Sequence, residues 1–306
     1  MKAYFTICSN NYLAYASVLG SSLRNAEPGA TFFLFLCDEK APNIDYTIIA
    51  DEVIPLAAIE PRLHEFAGKY NIIELNTCVK PHVFQYLLTE KNFDQVIYLD
   101  PDIYVYNNLS PTLQAAFENA SILLTPHIYT AIPLDGKQPQ ESVFLNFGIY
   151  NLGFIAVKKN EEVNRFLAWW KERTYQQGFI DVYNGIFVDQ LPINLVPILF
   201  KDVHILQDHG LNMAAWNLHE RLLSQQGKQY LVNEQTTLKF YHFSSFKPGT
   251  IELPTARYNR YNLSDRPDLL ALYQAYGEAL TQAGYGQYHL LPCSYDKPKK
   301  KKWFSK

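Results

Sequence analysis

The chain alternates between short apolar runs and amphipathic stretches. Ala3 to Cys8 is a β-favouring apolar run that ends in the polar turn Ser9-Asn10-Asn11. Leu13, Val18, Leu19 and Leu23 then recur at helical spacing, and the pattern closes at Asn25 to Gly29. Thr31 to Cys37 (TFFLFLC) is a continuous apolar run ending at Asp38-Glu39. Strand, helix and strand with short links form a βαβ unit, which predicts a mainly parallel sheet. Uninterrupted apolar strands also predict a sheet covered on both faces.

The same reading gives strands at Glu52–Leu56, Gln95–Leu99, Ser121–Thr125, Val203–Leu206 and Leu238–Phe243. It gives helices at Val79–Thr89, Glu161–Glu172 and Leu269–Ala283. Phe147–Val157 reads as two short apolar pieces around Asn151-Leu152-Gly153, and the Trp216–Arg221 segment as a helix start. No repeat or low-complexity linker divides the chain. The expectation is one α/β domain with a C-terminal helical extension.

Composition narrows this picture. The 306 residues are 48% hydrophobic and 19% charged, which excludes wholesale disorder and allows a core without disulfide or metal staples. The 22 Tyr and 19 Phe suit either an aromatic core or sugar-stacking walls. A net charge of −3 excludes a general nucleic-acid surface. The charge is uneven: residues 297–306 hold six Lys and no acid, which leaves 21 basic against 30 acidic residues elsewhere. Cys8, Cys37, Cys78 and Cys293 form no C-x-x-C pair and read as reduced thiols. No signal-peptide pattern and no membrane-length apolar run is visible, so the expected location is cytoplasmic.

Asp100-Pro101-Asp102 is the most informative spot. Two carboxylates leave the end of a buried strand, where α/β sheets bind ligands. Strict strand alternation would send them to opposite faces, and the intervening proline bends the chain so that both converge. Converging anionic oxygens suit Mg²⁺ or Mn²⁺, held by one or two carboxylates plus substrate phosphates. A bare D-x-D is more often a solvated strand-end turn, and the apolar VIYL before it and IYVY after it bring the two readings level.

The stretch DQVIYLDPDIYVYNNL resembles the metal-site segment of nucleotide-sugar glycosyltransferases of the GT-A fold. It is especially similar to the retaining glycogenin and lipopolysaccharide galactosyltransferase group. Further segments match in the same order: YFTICSNNYLAYASVLGSSL, CVKPHVFQYLL, YNLGFIAV, FVDQLPIN and FYHFSSFKPG. DHGLNMAAWNLHER resembles a related set of bacterial polysaccharide glycosyltransferases. The resemblance implies a GT-A domain over 1–250, a helical extension over 251–296 and a basic tail over 297–306.

What the resemblance implies about the site follows residue by residue. Asp100, Asp102 and His242 would hold Mn²⁺ or Mg²⁺, although a lone His is more often structural. Asn10, Asn11 and Tyr12 would meet the base and Asp38 the ribose of a nucleotide sugar, with UDP favoured. The same Asn and Asp residues also suit turns and caps. Lys80 and Lys247 would set positive charge against the diphosphate or the acids, although a single Lys is more often a solvated surface residue, and Asn151 would contact the donor sugar. Asp189 and Gln190 would lie at the anomeric carbon, where a carboxylate steadies oxocarbenium-like charge. Trp216, Asn217, His219 and Arg221 would bind the acceptor, a glycan, glycolipid or protein-linked sugar. Trp169 and Trp170 read as helix packing. Two departures stand out: Ser245 replaces the group's usual Gly, and Gly249 its usual aromatic residue. The resemblance favours retention, and the residues alone leave inversion open.

The lysine cluster around Trp303 and Phe304 suits peripheral contact with an anionic membrane, or a solvated tail. Two other classes fit parts of the pattern. A haloacid dehalogenase-type phosphohydrolase also uses D-x-D after an apolar strand, usually near the N-terminus. A non-catalytic carbohydrate-binding protein could retain a transferase fold.

Overall fold

The computed structural model describes residues 1–227, 229–249, 255 and 257–296. Strand β1 (Lys2–Cys8) leads into α1 (Leu13–Ala26), then β2 (Thr31–Leu36) and β3 (Glu52–Pro55). Three helices follow: α2 (Leu63–Lys69), α3 (Ile72–Cys78) and α4 (Lys80–Thr89). The chain continues through β4 (Gln95–Leu99), β5 (Ile103–Val105), α5 (Ser110–Phe117) and β6 (Ile122–Pro126). Next come α6 (Glu141–Phe147), β7 (Tyr150–Lys158) and α7 (Glu161–Gln177). A small hairpin, β8 (Ile180–Asp181) and β9 (Ile186–Phe187), precedes α8 (Val196–Leu199) and β10 (Val203–Ile205). The last part holds β11 (Met213–Ala214), β12 (Leu223–Gln226), β13 (Gln229–Val232), β14 (Thr236–Thr237) and β15 (Phe240–His242). Helices α9 (Pro267–Gln282) and α10 (Tyr285–Tyr288) close it.

Seven strands form the central sheet in the order β10-β6-β7-β4-β1-β2-β3. Only β7 runs antiparallel to its neighbours, so the sheet is mainly parallel, as the βαβ pattern predicts. Alternation divides each strand between two cores. Phe5, Phe33, Phe35, Val96 and Tyr98 face the layer of α4 and α7. Tyr4, Leu34, Leu36, Ile97 and Leu99 face the layer of α1 and α5. This is why these strands read as unbroken apolar runs. Trp170 is fully buried in the first core, and burying such a side chain contributes about 1.5–3 kcal/mol.

Local signals set the helix ends. Asn160 caps α7 by accepting from Val163 N–H at 2.8 Å, with Glu161 and Glu162 complementing the helix dipole in the first turn. Asn71 and Glu74 form a reciprocal capping box that starts α3, a helix the periodicity did not reveal. Helix α9 packs Leu269, Leu272, Tyr273 and Tyr276 against Ala14, Tyr15 and Val18 of α1. The C-terminal extension is therefore joined to the body by an apolar face.

Two expectations need correction. Phe147–Val157 is not two pieces. Helix α6 ends at Phe147, Gly148 turns the chain at φ +120°, and β7 runs unbroken from Tyr150. Asn151 and Gly153 break the apolar pattern without breaking the strand. The Trp216–Arg221 segment forms turns rather than a helix. Its Asn217 side chain accepts from Ala214 N–H at 2.9 Å and donates to Asn212 O at 2.9 Å, a local turn that competes with helix. Among the described residues, no helix is long and apolar enough to cross a membrane. The basic tail at 297–306 lies outside the described residues.

Candidate functional site

The carboxyl end of β4 builds the site. Asp100 follows Leu99 and donates its backbone N–H to Gly153 O of β7 at 2.8 Å. Ile103 N–H returns to Asp100 O at 3.1 Å, so Asp100-Pro101-Asp102 is a tight turn and not an extended strand. Both carboxylates then project to one side. Strand β5 pairs antiparallel with β15, with Ile103 opposite His242. The ladder extends to Phe243 N–H, which donates to Asp102 O at 2.9 Å. This register carries His242 across 140 residues of sequence to the two acids. His242 Nε2 lies 3.0 Å from Asp102 Oδ1 and 3.7 Å from Asp100 Oδ2.

One ligand atom from each of Asp100, Asp102 and His242 falls within 4.8 Å of the other two. Two carboxylate oxygens and an imidazole nitrogen at one point are a donor set that fits Mn²⁺ or Mg²⁺, the nitrogen favouring Mn²⁺. Gly153 makes the approach feasible, since a Cβ there would lie 2.4 Å from His242 Cε1 and 2.7 Å from Nδ1. Trp216 closes the far side, its ring edge-on to His242 at 5.1 Å.

The electrostatics are unequal. Burial pushes the Asp100 carboxyl above its ordinary value, against the opposing charges of Lys80 and His242. Burial also raises Asp102, but the His242 charge and hydrogen bond outweigh it and hold Asp102 below the usual carboxylate range. His242 is the mirror case: burial disfavours its charge, and Asp102 and Asp100 outweigh burial and raise it. Tyr98 O–H donates to Asp100 Oδ1 at 2.5 Å and orients that acid.

A second acid–cation pair lines the same cleft. Lys80, at the start of α4, and Asp189 are each 2% exposed at the side chain, with Nζ 2.7 Å from Oδ2. Lys80 also donates to Leu152 O at 2.9 Å and lies 4.2 Å above the Tyr98 ring. Burial raises the Asp189 carboxyl more than the Lys80 charge lowers it. Gln190 bridges Leu152 N–H and Phe147 O at 3.0 and 2.8 Å. Asn151 accepts from Gly153 N–H and from the Asn212 amide, both at 3.2 Å. Its own amide meets His127 Nε2 at 3.2 Å. Burial pushes the His127 imidazole down to about 3, so it is neutral and accepts that bond.

Two cavities meet at the acids. The larger, of about 640 Å³, is lined by Lys80, Asn151, Asp189, Gln190, Trp216 and His242. The smaller, of about 220 Å³, is lined by Asn11, Tyr12 and Asn76. Asp100 and Asp102, with Ile73 and Thr77, line both.

The other expected residues lie elsewhere. Asn10 is buried: its amide donates to Glu39 O at 2.8 Å and its carbonyl accepts from Tyr46 O–H at 2.7 Å. Asp38 accepts from Asn10 N–H at 3.2 Å and from Ser294 N–H at 2.8 Å. Both brace the loop that presents Asn11 and Tyr12. Asn217 donates to His127 O at 3.0 Å and Arg221 to Leu211 O at 2.6 Å, both fully buried away from the cavity. His219 Nε2 meets Thr130 O at 3.2 Å. Lys247 is exposed and lines neither cavity. Sequence reading missed His127, Arg257 and Tyr258, which line the larger cavity. His127 follows the end of β6, a position at the ligand-binding edge of the sheet that could have flagged it. Arg257 carried no signal.

No family model matches the chain. It is 27% identical over 286 residues to the uncharacterized protein YfnF of Bacillus subtilis (strain 168), 91% of each chain. Among solved structures it is similar to the galactosyltransferase LgtC in complex with donor and acceptor sugar analogs. Identity there is 14% and the TM-score 0.52, over 92% of this chain and 96% of that one. It is also similar to the glycosyltransferase GlyE of Streptococcus pneumoniae TIGR4. Identity there is 13% and the TM-score 0.52, over 96% of this chain and 66% of that one. The chain has the GT-A fold.

Proposed function

We propose that the chain is a divalent-cation-dependent glycosyltransferase. It moves a sugar from a nucleoside-diphosphate donor, a UDP-sugar, to a glycan, glycolipid or protein-linked acceptor, with retention. The observation that carries the reading is the junction: Asp100 and Asp102 line both cavities at the point where His242 joins them. A donor lying with its base in the smaller cavity and its sugar in the larger one has its diphosphate at that junction. LgtC, of similar fold, is described with donor and acceptor sugar analogs, which supports the same use of this cleft.

The residues then divide the work. Asn11 and Tyr12 receive the base, with Asn10 and Asp38 bracing them. Asp100, Asp102 and His242 hold Mn²⁺ or Mg²⁺, which when bound stabilises the charge that develops on the departing phosphate oxygen. Asn151, whose second amide hydrogen is left over from the His127 contact, binds a donor-sugar hydroxyl. Asp189, held by Lys80, puts a fixed negative charge beside the anomeric carbon, with Gln190 next to it. Trp216 supplies a wall for the acceptor. The free thiols suit a reducing, cytoplasmic compartment. The phosphohydrolase alternative finds no support, since the Asp-Pro-Asp turn follows β4 and not the first strand. The binding-only alternative has no observation in its favour.

The test is a thermal-shift series with Mn²⁺ and a panel of nucleotides. Ligand at about 100 times Kd adds about 2.7 kcal/mol of apparent stability. The expected result is a Mn²⁺-dependent shift with UDP or a UDP-sugar. No shift with any nucleotide, with or without metal, rejects the donor site.

A further inference from the structure

We infer that Arg257, not Lys247, is the side chain that binds the donor's diphosphate in this protein. The inference deepens the proposed function and rests on it.

Arg257 lies beyond the segment that resembles known transferases, yet it lines the larger cavity with Asp100, Asp102, His242 and Ser244. Lys247 does not line it. The backbone before Lys247 is turned toward the helices: Ser245 takes φ +64°, and Phe246 packs into the α9 cluster. Tyr15 O–H of α1 donates to Phe246 O at 2.7 Å, which fixes that orientation. The departures at Ser245 and Gly249 fall in this turn.

Arg257 shares the larger cavity with Asp102 and His242 of the cation site, and Asp102 in turn borders the smaller cavity with Tyr12 of the nucleotide loop. A diphosphate spans that same interval, from the base toward the cation. Lys80 is already committed to Asp189, so the cleft needs another cation to offset the phosphates and the two metal-site acids. A guanidinium also matches phosphate with planar paired donors, which an ammonium does not.

The residues that follow Arg257 are anchored. Tyr258 packs against the cluster of Ile132, Phe144 and Trp216. Arg260, 5% exposed at the side chain, pairs with Asp135 at 2.8 Å and also donates to Pro133, Lys137 and Pro139 carbonyls. Asn259 accepts from Gln138 N–H at 2.7 Å, and Gln138 also lines the cavity. The 133–139 loop and the 257–260 segment thus form one clasp over the cleft.

The experiment compares binding of UDP and of uridine, each with Mn²⁺, and of Mn²⁺ alone, by calorimetry. Arg257→Ala is expected to weaken UDP at least tenfold, while Mn²⁺ alone and uridine change less than twofold. Arg257→Lys should recover part of the loss, and Lys247→Ala should change UDP binding less than twofold. Loss of UDP binding in Lys247→Ala with retention in Arg257→Ala overturns the assignment and leaves the donor site standing. Equal losses of UDP and uridine in Arg257→Ala also overturn it, because the residue then shapes the cleft and does not read phosphate. A wild-type protein that binds UDP under no condition overturns both readings together.

Discussion

Two aspartate–cation pairs line one cleft and behave in opposite ways. Asp189 and Lys80 are each 2% exposed and hold one another as a buried ion pair in the cavity wall before any ligand arrives. Asp102 borders both cavities and its partner His242 the larger one, with Asp100 beside them. The difference lies in the cation. Lys80 is tied to Asp189 and to Leu152 O inside the protein, so its pair is part of the folded structure. Histidine gives up its proton readily, so its position beside two acids is exchangeable for a metal ion. The more buried Lys80–Asp189 pair fixes geometry, whereas the more open Asp102–His242 pair is the one that takes up a ligand.

The sharpest way to break this comparison is Lys80→Met. Removing one partner of a buried pair leaves an uncompensated carboxylate and destabilises by about 3–5 kcal/mol. Burial already raises Asp189, so that acid is expected to become protonated in the variant. The double variant Lys80→Met/Asp189→Leu should recover most of the stability without recovering transfer. Denaturant unfolding of both proteins reads the result. A single variant within about 1 kcal/mol of wild type would show that the pair is not a structural clamp.

Asp102→Asn tests the open pair and should do the reverse. Stability should change by about 1 kcal/mol or less, since the acid faces a cavity and not the core. Mn²⁺-dependent UDP binding should fall about 100-fold or more, the upper end of what even outer-sphere partners control. Unfolding of this variant with intact metal binding would reverse the roles assigned to the two pairs.

Legibility in the sequence follows the same division. The strands of the central sheet were readable because both faces are covered, which makes their apolar runs continuous. Asp100-Pro101-Asp102 was readable because carboxylates at a strand end are chemically distinctive. His242 was not readable from its surroundings; only the β5–β15 register brings it to the acids, and resemblance alone supplied it. Asn10, Asp38, Asn217 and Arg221 show the limit from the other side. Each is a polar residue next to a motif, and each is turned inward by its backbone partners. A polar residue looks the same in sequence whether it meets a ligand or a carbonyl. Arg257 went unseen for the converse reason, because the clasp that sets it over the cleft has no local signature.

The smallest effect expected sits at Gly153, which joins the two pairs through β7. Its carbonyl accepts from Asp100 N–H, its N–H meets Asn151, and its missing side chain leaves room for His242. In Gly153→Ala the new methyl meets His242 Cε1 at 2.4 Å and Asn151 Oδ1 at 2.8 Å, so the imidazole must shift away from the acids. Overpacking of this kind costs about 1–3 kcal/mol, with the low end expected because one neighbour is a side chain facing a cavity. Mn²⁺ affinity should fall about tenfold while the Lys80–Asp189 pair stays intact. Calorimetric Mn²⁺ titration alongside denaturant unfolding separates the two. Unchanged Mn²⁺ affinity would mean that His242 does not ligand the metal, and that the open pair consists of the two aspartates alone.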